Sequence, residues 1–141
     1  MNKYILLVDD DNDDRELFRE AISTSASELN FREAEDGAEA FRILQTAKNN
    51  LPDLIFLDIN LPIISGWECL TKLKSDADFK NIPVIIYSTS SHDRDRKIAA
   101  DLGALSFVTK PHTYTDLLKL IKKVNMHVQN NTLNQFTNSE K

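Results

Sequence analysis

Much of what would mark other protein classes is missing from this chain. It has one cysteine, Cys69, so no internal disulfide can form and nothing points to a secreted, cross-linked scaffold. Its three glycines make neither a Gly-rich phosphate loop nor a Gly-x-Gly-x-x-Gly fingerprint. There is no basic excess. Lys and Arg total 17 against 22 Asp and Glu, a formal net charge of −5, which removes the electrostatic footprint of non-specific nucleic-acid binding but leaves room for a basic patch on a protein partner. No long hydrophobic run occurs. The first apolar stretch, Tyr4-Ile5-Leu6-Leu7-Val8, meets Asp9 at once and is too short for a signal-peptide core or a membrane span, so the chain reads as cytoplasmic, with no membrane and no nucleic acid among its partners. His92, His112 and His127 are scattered without ligand spacing and read as exposed.

What is present is the composition of one soluble globular domain: 141 residues, 41% hydrophobic and 28% charged, enough for a proper core. Four short apolar runs stand out. Tyr4–Val8 ends in Asp9, Leu54–Leu57 ends in Asp58, Val84–Tyr87 ends in Ser88, and Leu105–Val108 ends in Thr109-Lys110-Pro111. They are mostly apolar on both faces, as buried parallel strands are. A more polar strand from Asn30 to Glu35 suits a sheet edge. Between the runs lie apolar stripes at helical spacing: Leu17, Phe18, Ala21 and Ile22; Ala40, Phe41, Leu44 and Ala47; Gly66, Cys69, Leu70 and Leu73; Ile98, Ala99 and Leu102; Leu117, Leu120, Ile121 and Val124. Asp36 and Thr113 stand as N-caps, Thr113 with Asp116 three residues on, and Gly103 stands as a C-terminal cap. The order is (βα)5, an α/β doubly wound, flavodoxin-like sheet of five parallel strands in the order 2-1-3-4-5, with helices on both faces. The domain is expected over residues 1–128, with a flexible polar tail over 129–141.

Ligands in such sheets bind outside the carboxyl ends of the strands. Here those ends deliver Asp9-Asp10 and Asp58, three carboxylates whose mutual repulsion a divalent cation relieves; an all-oxygen site of this kind suits Mg²⁺ or Mn²⁺. The same rim receives the Ser88 hydroxyl and the Lys110 ammonium. Acids for a metal, a hydroxyl donor and a fixed cation are the parts of a phosphoryl-transfer site, with Asp58 as nucleophile and Ser88 and Lys110 on the phosphoryl oxygens. Asp11, Asp13 and Asp14 read as the acidic first turn of a helix. Trp67 reads as a partly buried anchor, Cys69 as inert core, and the run His92-Asp93-Arg94-Asp95-Arg96-Lys97 as a solvated helix face.

In this order and spacing, Val8-Asp9-Asp10, Leu57-Asp58-Ile59-Asn60-Leu61-Pro62, Ser65-Gly66, Ser88-Thr89 and Lys110-Pro111 resemble the signature of two-component response-regulator receiver domains, from about Lys3 to Val128. The resemblance implies that Asp58 is the phospho-acceptor and that Asp10 binds the metal directly while Asp9 acts through bound water. Asp58 and the backbone carbonyl of Asn60 would complete the ligand set. Ser88 would be the switch hydroxyl, Thr89 the small residue beside it, Phe107 the aromatic switch position, and Lys110 the phosphate-binding lysine ahead of a cis Lys110–Pro111 bond. Phe107 reads equally as ordinary strand core. Asn60 and Ser90 stand where family members tune phosphate lifetime. Asp13-Asp14, the segment from Asp76 to Pro83 and Ser88-Thr89-Ser90 look like a stand-alone, chemotaxis-type subgroup that includes partners of phytochrome-type kinases.

The implied partners are a sensor histidine kinase or phosphotransfer protein and a downstream protein target, with a homodimer possible. The implied activity is confined to the protein's own phosphorylation and dephosphorylation. Two other readings stand beside this one. Asp58-Ile59-Asn60 also resembles the nucleophile strand of haloacid-dehalogenase-type phosphatases, but Asn60 occupies the place of their general acid. The fold could also serve purely as a protein-binding module, although the intact acceptor constellation opposes that.

Overall fold

The computed structural model describes residues 3–137. Five strands, β1 (Tyr4–Val8), β2 (Asn30–Ala34), β3 (Leu54–Leu57), β4 (Val84–Ser88) and β5 (Ser106–Thr109), alternate with five helices, α1 (Asn12–Ser25), α2 (Gly37–Thr46), α3 (Gly66–Ser75), α4 (Asp93–Asp101) and α5 (Tyr114–Asn130). All pairings are parallel and the order is β2-β1-β3-β4-β5. β2 is an edge strand with an exposed, polar pattern, whereas β1, β3 and β4 are buried along their whole length. β5 begins and ends one residue later than the apolar run indicates, since its register is set by Ile85 pairing Ser106 and Ser88 pairing Thr109.

Alternate strand side chains feed two cores. On one face Leu6, Val8, Ile55, Leu57, Ile86 and Phe107 meet α2, α3 and the single buried residue of α4, Ala99. On the other, Ile5, Leu7, Phe56, Ile85, Tyr87 and Val108 meet α1 and α5. The caps explain the helix ends. Asp11 accepts from the backbone N–H of Asp13 and Asp14, Asp36 from Glu39, and Thr113 from Asp116. Ser65 and Glu68 form a reciprocal capping box. At Gly103 (φ 98°), Gly103 N–H donates to Ala100 O and Ala104 N–H to Ala99 O, the paired bonds of a Schellman ending that only a left-handed residue completes.

Four expectations need correction. Leu17 is 45% exposed: the buried stripe of α1 is Phe18, Ala21 and Ile22, and Leu17 lies outside it. His127 is buried; its Nδ1 lies 2.8 Å from Thr132 Oγ1 and its ring meets Phe136 edge-on. The Lys110–Pro111 bond is trans, as is every peptide bond among the described residues; trans is the intrinsically favoured isomer, and Lys110 reaches its carboxylate partners with it. The polar tail does not hang free over residues 129–137. α5 runs on to Asn130, and Asn131 turns in the left-handed region. A 3-10 turn, Leu133–Gln135, then brings Phe136 back into the α5 core at 3% exposure, with Lys123 Nζ 5.2 Å over its ring. The rest of the expected tail, 138–141, lies outside the described residues.

Candidate functional site

Register alone brings the strand ends together. Val8 pairs Leu57, so Asp9 and Asp58 leave the sheet side by side, and Asp58 N–H donates to Val8 O at 3.0 Å. Ser88 pairs Thr109, and Lys110 N–H donates to Ser88 O at 2.7 Å. From there the Lys110 side chain crosses the rim. Its Nζ lies 2.8 Å from Asp9 Oδ2, 2.7 Å from Asp14 Oδ2 and 3.1 Å from Asp58 Oδ2. Asp9, Asp58 and Ser88 are all buried. Gly66 closes the floor: a Cβ there would overlap the carbonyl oxygen of Asp58, so any side chain would displace the acid's own backbone.

The carboxylates are incompletely satisfied. Asp9 Oδ1 accepts from Asp11 N–H at 3.0 Å and Asp58 Oδ1 from Asn60 N–H at 3.0 Å. Asp9 Oδ2 has the Lys110 ammonium at ion-pair distance, yet among the described residues it has no donor in hydrogen-bonding geometry. Burial pushes Asp9 up to about 6, against the pull of Lys110 and Asp11 N–H, and the charge on Asp58 adds to the rise. Burial alone would lower Lys110, but the carboxylates of Asp14 and Asp9 outweigh it and hold the ammonium well above its ordinary range. Its Nζ also sits 5.5 Å from the Tyr87 ring centre, and burial keeps the Tyr87 hydroxyl firmly protonated.

One oxygen from each of Asp9, Asp10 and Asp58 lies within 4.8 Å of the others. This compact all-oxygen donor set, in which the buried Asp9 Oδ2 has the Lys110 ammonium at ion-pair distance but, among the described residues, no donor in hydrogen-bonding geometry, fits a hard divalent cation.

Asp9 and Asp58 both contact Lys110, and Asp10 adds an exposed oxygen to the cluster. Ser88 ends β4 with its Oγ accepting from Ser90 N–H at 3.1 Å. Asn60 stands two residues past Asp58 with its N–H turned to that carboxylate. Thr89 is exposed. Phe107 is apart from the acids, 5% exposed in the core beneath α4, with the Arg96 guanidinium 5.0 Å from its ring centre.

Sequence reading missed Asp14. It does lie in the acidic first turn of α1, but that turn overhangs the rim and its carboxylate takes the shortest of the three contacts with Lys110. The surplus of acids after Asp10, more than a helix start needs, was the available signal. Cys69 is buried, and burial pushes its thiol up, as inert core requires.

Comparisons with known proteins identify the family and the fold. Residues 5–122 match the family model described as the response regulator receiver domain. Response regulator Rcp1 of Synechocystis sp. is 33% identical over 126 residues, covering 86% of each chain. The polar-differentiation response regulator DivK of Brucella ovis is 32% identical over 122 residues, 86% of this chain and 95% of DivK. Among solved structures, the phosphorylated cyanobacterial phytochrome response regulator RcpA superposes with a TM-score of 0.83 at 33% identity, covering 93% of this chain and 96% of RcpA. The Mn²⁺-bound form of Rcp1 gives 0.75 at 34% identity, covering 86% and 91%. No helix among the described residues is long and apolar enough to cross a membrane. The chain belongs to the response regulator receiver domain family of two-component signalling.

Proposed function

We propose that this chain is a phosphorylation-dependent switch in a two-component relay, with Asp58 as the acceptor. A carboxylate oxygen of Asp58 attacks the phosphorus of a phosphohistidine on a sensor kinase or phosphotransfer protein. The P–N bond breaks, and the departing imidazole nitrogen takes up a proton. Lys110 pairs with a phosphoryl oxygen, and the Ser88 hydroxyl turns to donate to another. Asp9, Asp10 and Asp58, with the carbonyl of Asn60, would hold Mg²⁺ or Mn²⁺, which when bound supplies neutralising charge to the transferred group. The observation that carries this reading is the convergence of Asp9, Asp14 and Asp58 on one half-buried lysine at the strand ends. Phosphorylated RcpA and Mn²⁺-bound Rcp1 support it as relatives.

Beyond its own phosphorylation and dephosphorylation the chain carries out no chemistry in this scheme. It acts in the cytoplasm, on a downstream protein or through self-association of the face made by α4, β5 and α5. A solved complex of CheX with CheY from Borrelia burgdorferi, 26% identical and with a TM-score of 0.73, supports contact with a protein partner. The test is intact mass after incubation with acetyl phosphate, with and without Mg²⁺, on wild type and Asp58→Asn. A metal-dependent gain of one phosphoryl group that the variant lacks is the expected result. No gain under conditions that load a control receiver would overturn the reading.

A further inference from the structure

Helix α4 carries six charged residues in nine, and a solvated face is the default for such a run. Most of them obey it: Arg94 is exposed, and Lys97 makes an exposed i,i+4 pair with Asp101. Arg96 departs from it. It is half-buried, and its guanidinium turns inward to donate from Nη1 to Phe107 O at 3.3 Å and from Nη2 to Thr109 Oγ1 at 3.2 Å while lying 5.0 Å from the centre of the Phe107 ring. Thr109 has a single hydroxyl proton and gives it to Ser90 O at 3.0 Å, so it can only accept from Arg96. Ser90 N–H in turn donates to Ser88 Oγ at 3.1 Å. Every polar group of Ser90 is engaged, since its own Oγ donates to Asp95 Oδ2 at 2.6 Å and accepts from His92 N–H at 3.2 Å. An unbroken line of hydrogen bonds therefore runs from Ser88, at the acceptor rim, through Ser90 and Thr109 to Arg96. Arg96 and Thr109 line a cleft of about 500 Å³ together with Val108, Lys119, Leu120 and Phe136.

We propose that Arg96 is the positioning residue that carries the state of the Asp58 site to this cleft, through Ser88, Ser90 and Thr109. The proposal rests on the acceptor reading above. Turning Ser88 Oγ toward a phosphoryl oxygen withdraws it from Ser90 N–H. Ser90 then shifts against both Asp95, in the first turn of α4, and Thr109, on β5. Arg96 is anchored on β5 at two oxygens and one ring, so α4 and the cleft wall move with it. α4 buries only Ala99, so these polar contacts add to a small apolar contact in setting its position against β5. Phe107 has no hydroxyl with which to report on Ser88, and the Arg96 fork supplies the polar connection its ring cannot make.

The test follows backbone amide resonances as beryllofluoride and Mg²⁺ are added to wild type, Thr109→Val and Arg96→Lys. Thr109→Val removes one hydroxyl at nearly constant shape. Arg96→Lys keeps the charge but not the fork. In wild type, Ser90 and the cleft residues Lys119, Leu120 and Lys123 are expected to shift together. In both variants Ser90 should still shift, while the cleft shifts fall to less than half, a decoupling that a purely structural role would not produce. Cleft shifts of wild-type size in both variants overturn the relay and leave the acceptor reading standing. No response at Ser90 in wild type overturns the acceptor reading and the relay with it.

Discussion

The side of the sheet covered by α1 and α5 and the rim that leads to α4 are built on opposite principles. On the first, Phe18 is wholly buried and its ring meets Phe31, Phe56 and Tyr87 at centroid distances of 5.7, 5.1 and 5.5 Å. α5 adds Leu117, Ile121, Val124 and Val128 to the same core. On the second, α4 buries one alanine, its N-cap His92 makes no side-chain cap bond, and directional polar contacts hold it. Beside it, the rim buries the Asp9 carboxylate against the Lys110 ammonium and holds Ile63 in a left-handed turn. Apolar packing is non-directional and tolerates no vacancy, whereas hydrogen bonds have alternative partners. A domain that must keep its fold while one face rearranges gains from separating the two. Elements that move come from the weakly packed end of the stability range.

The largest effect should come from emptying the packed side. Phe18→Ala is expected to cost about 4 kcal/mol, since it removes the whole buried ring and leaves its three aromatic neighbours facing a cavity. The matching deletion in α4, Ile98→Ala at a half-buried position, should cost about 1 kcal/mol. Urea unfolding of both variants, read as a shift in midpoint at constant slope, measures the contrast. Similar losses at the two positions would break the comparison.

Asp9 tests the rim from the other direction. Its folded-state pKa of about 6 is above the ordinary 3.8, so the native protein binds its proton more tightly than the unfolded chain does. Stability from this group is therefore highest below pH 4 and falls as pH rises toward 6. Above that window the buried charge costs about 3 kcal/mol. Asp9→Asn removes the charge and should stabilise the metal-free protein by an amount of that order at pH 8, with the gain shrinking to nothing near pH 4. Mg²⁺ should raise the melting temperature of wild type more than that of the variant, because the cation would neutralise the same buried charge. A variant that melts below wild type at pH 8, or a gain that ignores pH, would show that the rim carries no such cost.

The two regions also differ in how legible they are. Strand positions, the split of side chains between the two sheet faces, and the caps at Asp36, Thr113 and Gly103 follow from local patterns: period-2 and period-3.6 apolar repeats, and residue types suited to helix ends. The meeting of Asp9, Asp58 and Lys110 was legible because strand order sets their strand ends on one rim. Asp14 and Arg96 were not. Each sits in a charge run whose default is solvent, and helix phase relative to the rim or to β5 decides which charge turns inward. Phe136 was hidden for another reason. One aromatic residue in a polar, aperiodic segment has no repeat to mark it, and its burial depends on the left-handed turn at Asn131 and on the space between Lys123 and His127. His127 is buried by the same return of the chain and reads as exposed without it.

The smallest effect lies five residues beyond the acceptor. Ile63 has φ 67° and is 94% exposed, in a tight turn where Ile64 N–H donates to Pro62 O at 2.7 Å. A β-branched residue in this region crowds its Cβ against the carbonyl, at about 1–2 kcal/mol, and with the side chain in solvent no packing offsets it. Glycine adopts the same φ freely but loses about 0.5–1 kcal/mol more on folding, because its unfolded chain is more disordered. Ile63→Gly should therefore raise stability by only about 0.5 kcal/mol, the difference of two opposed terms. The sign is what matters, and paired urea titrations of wild type and variant resolve it. A gain means that the rim holds strain that the α1–α5 side does not. A loss means that Ile63 makes up its strain through contacts in solution, and the contrast between the two regions would then stop short of this turn.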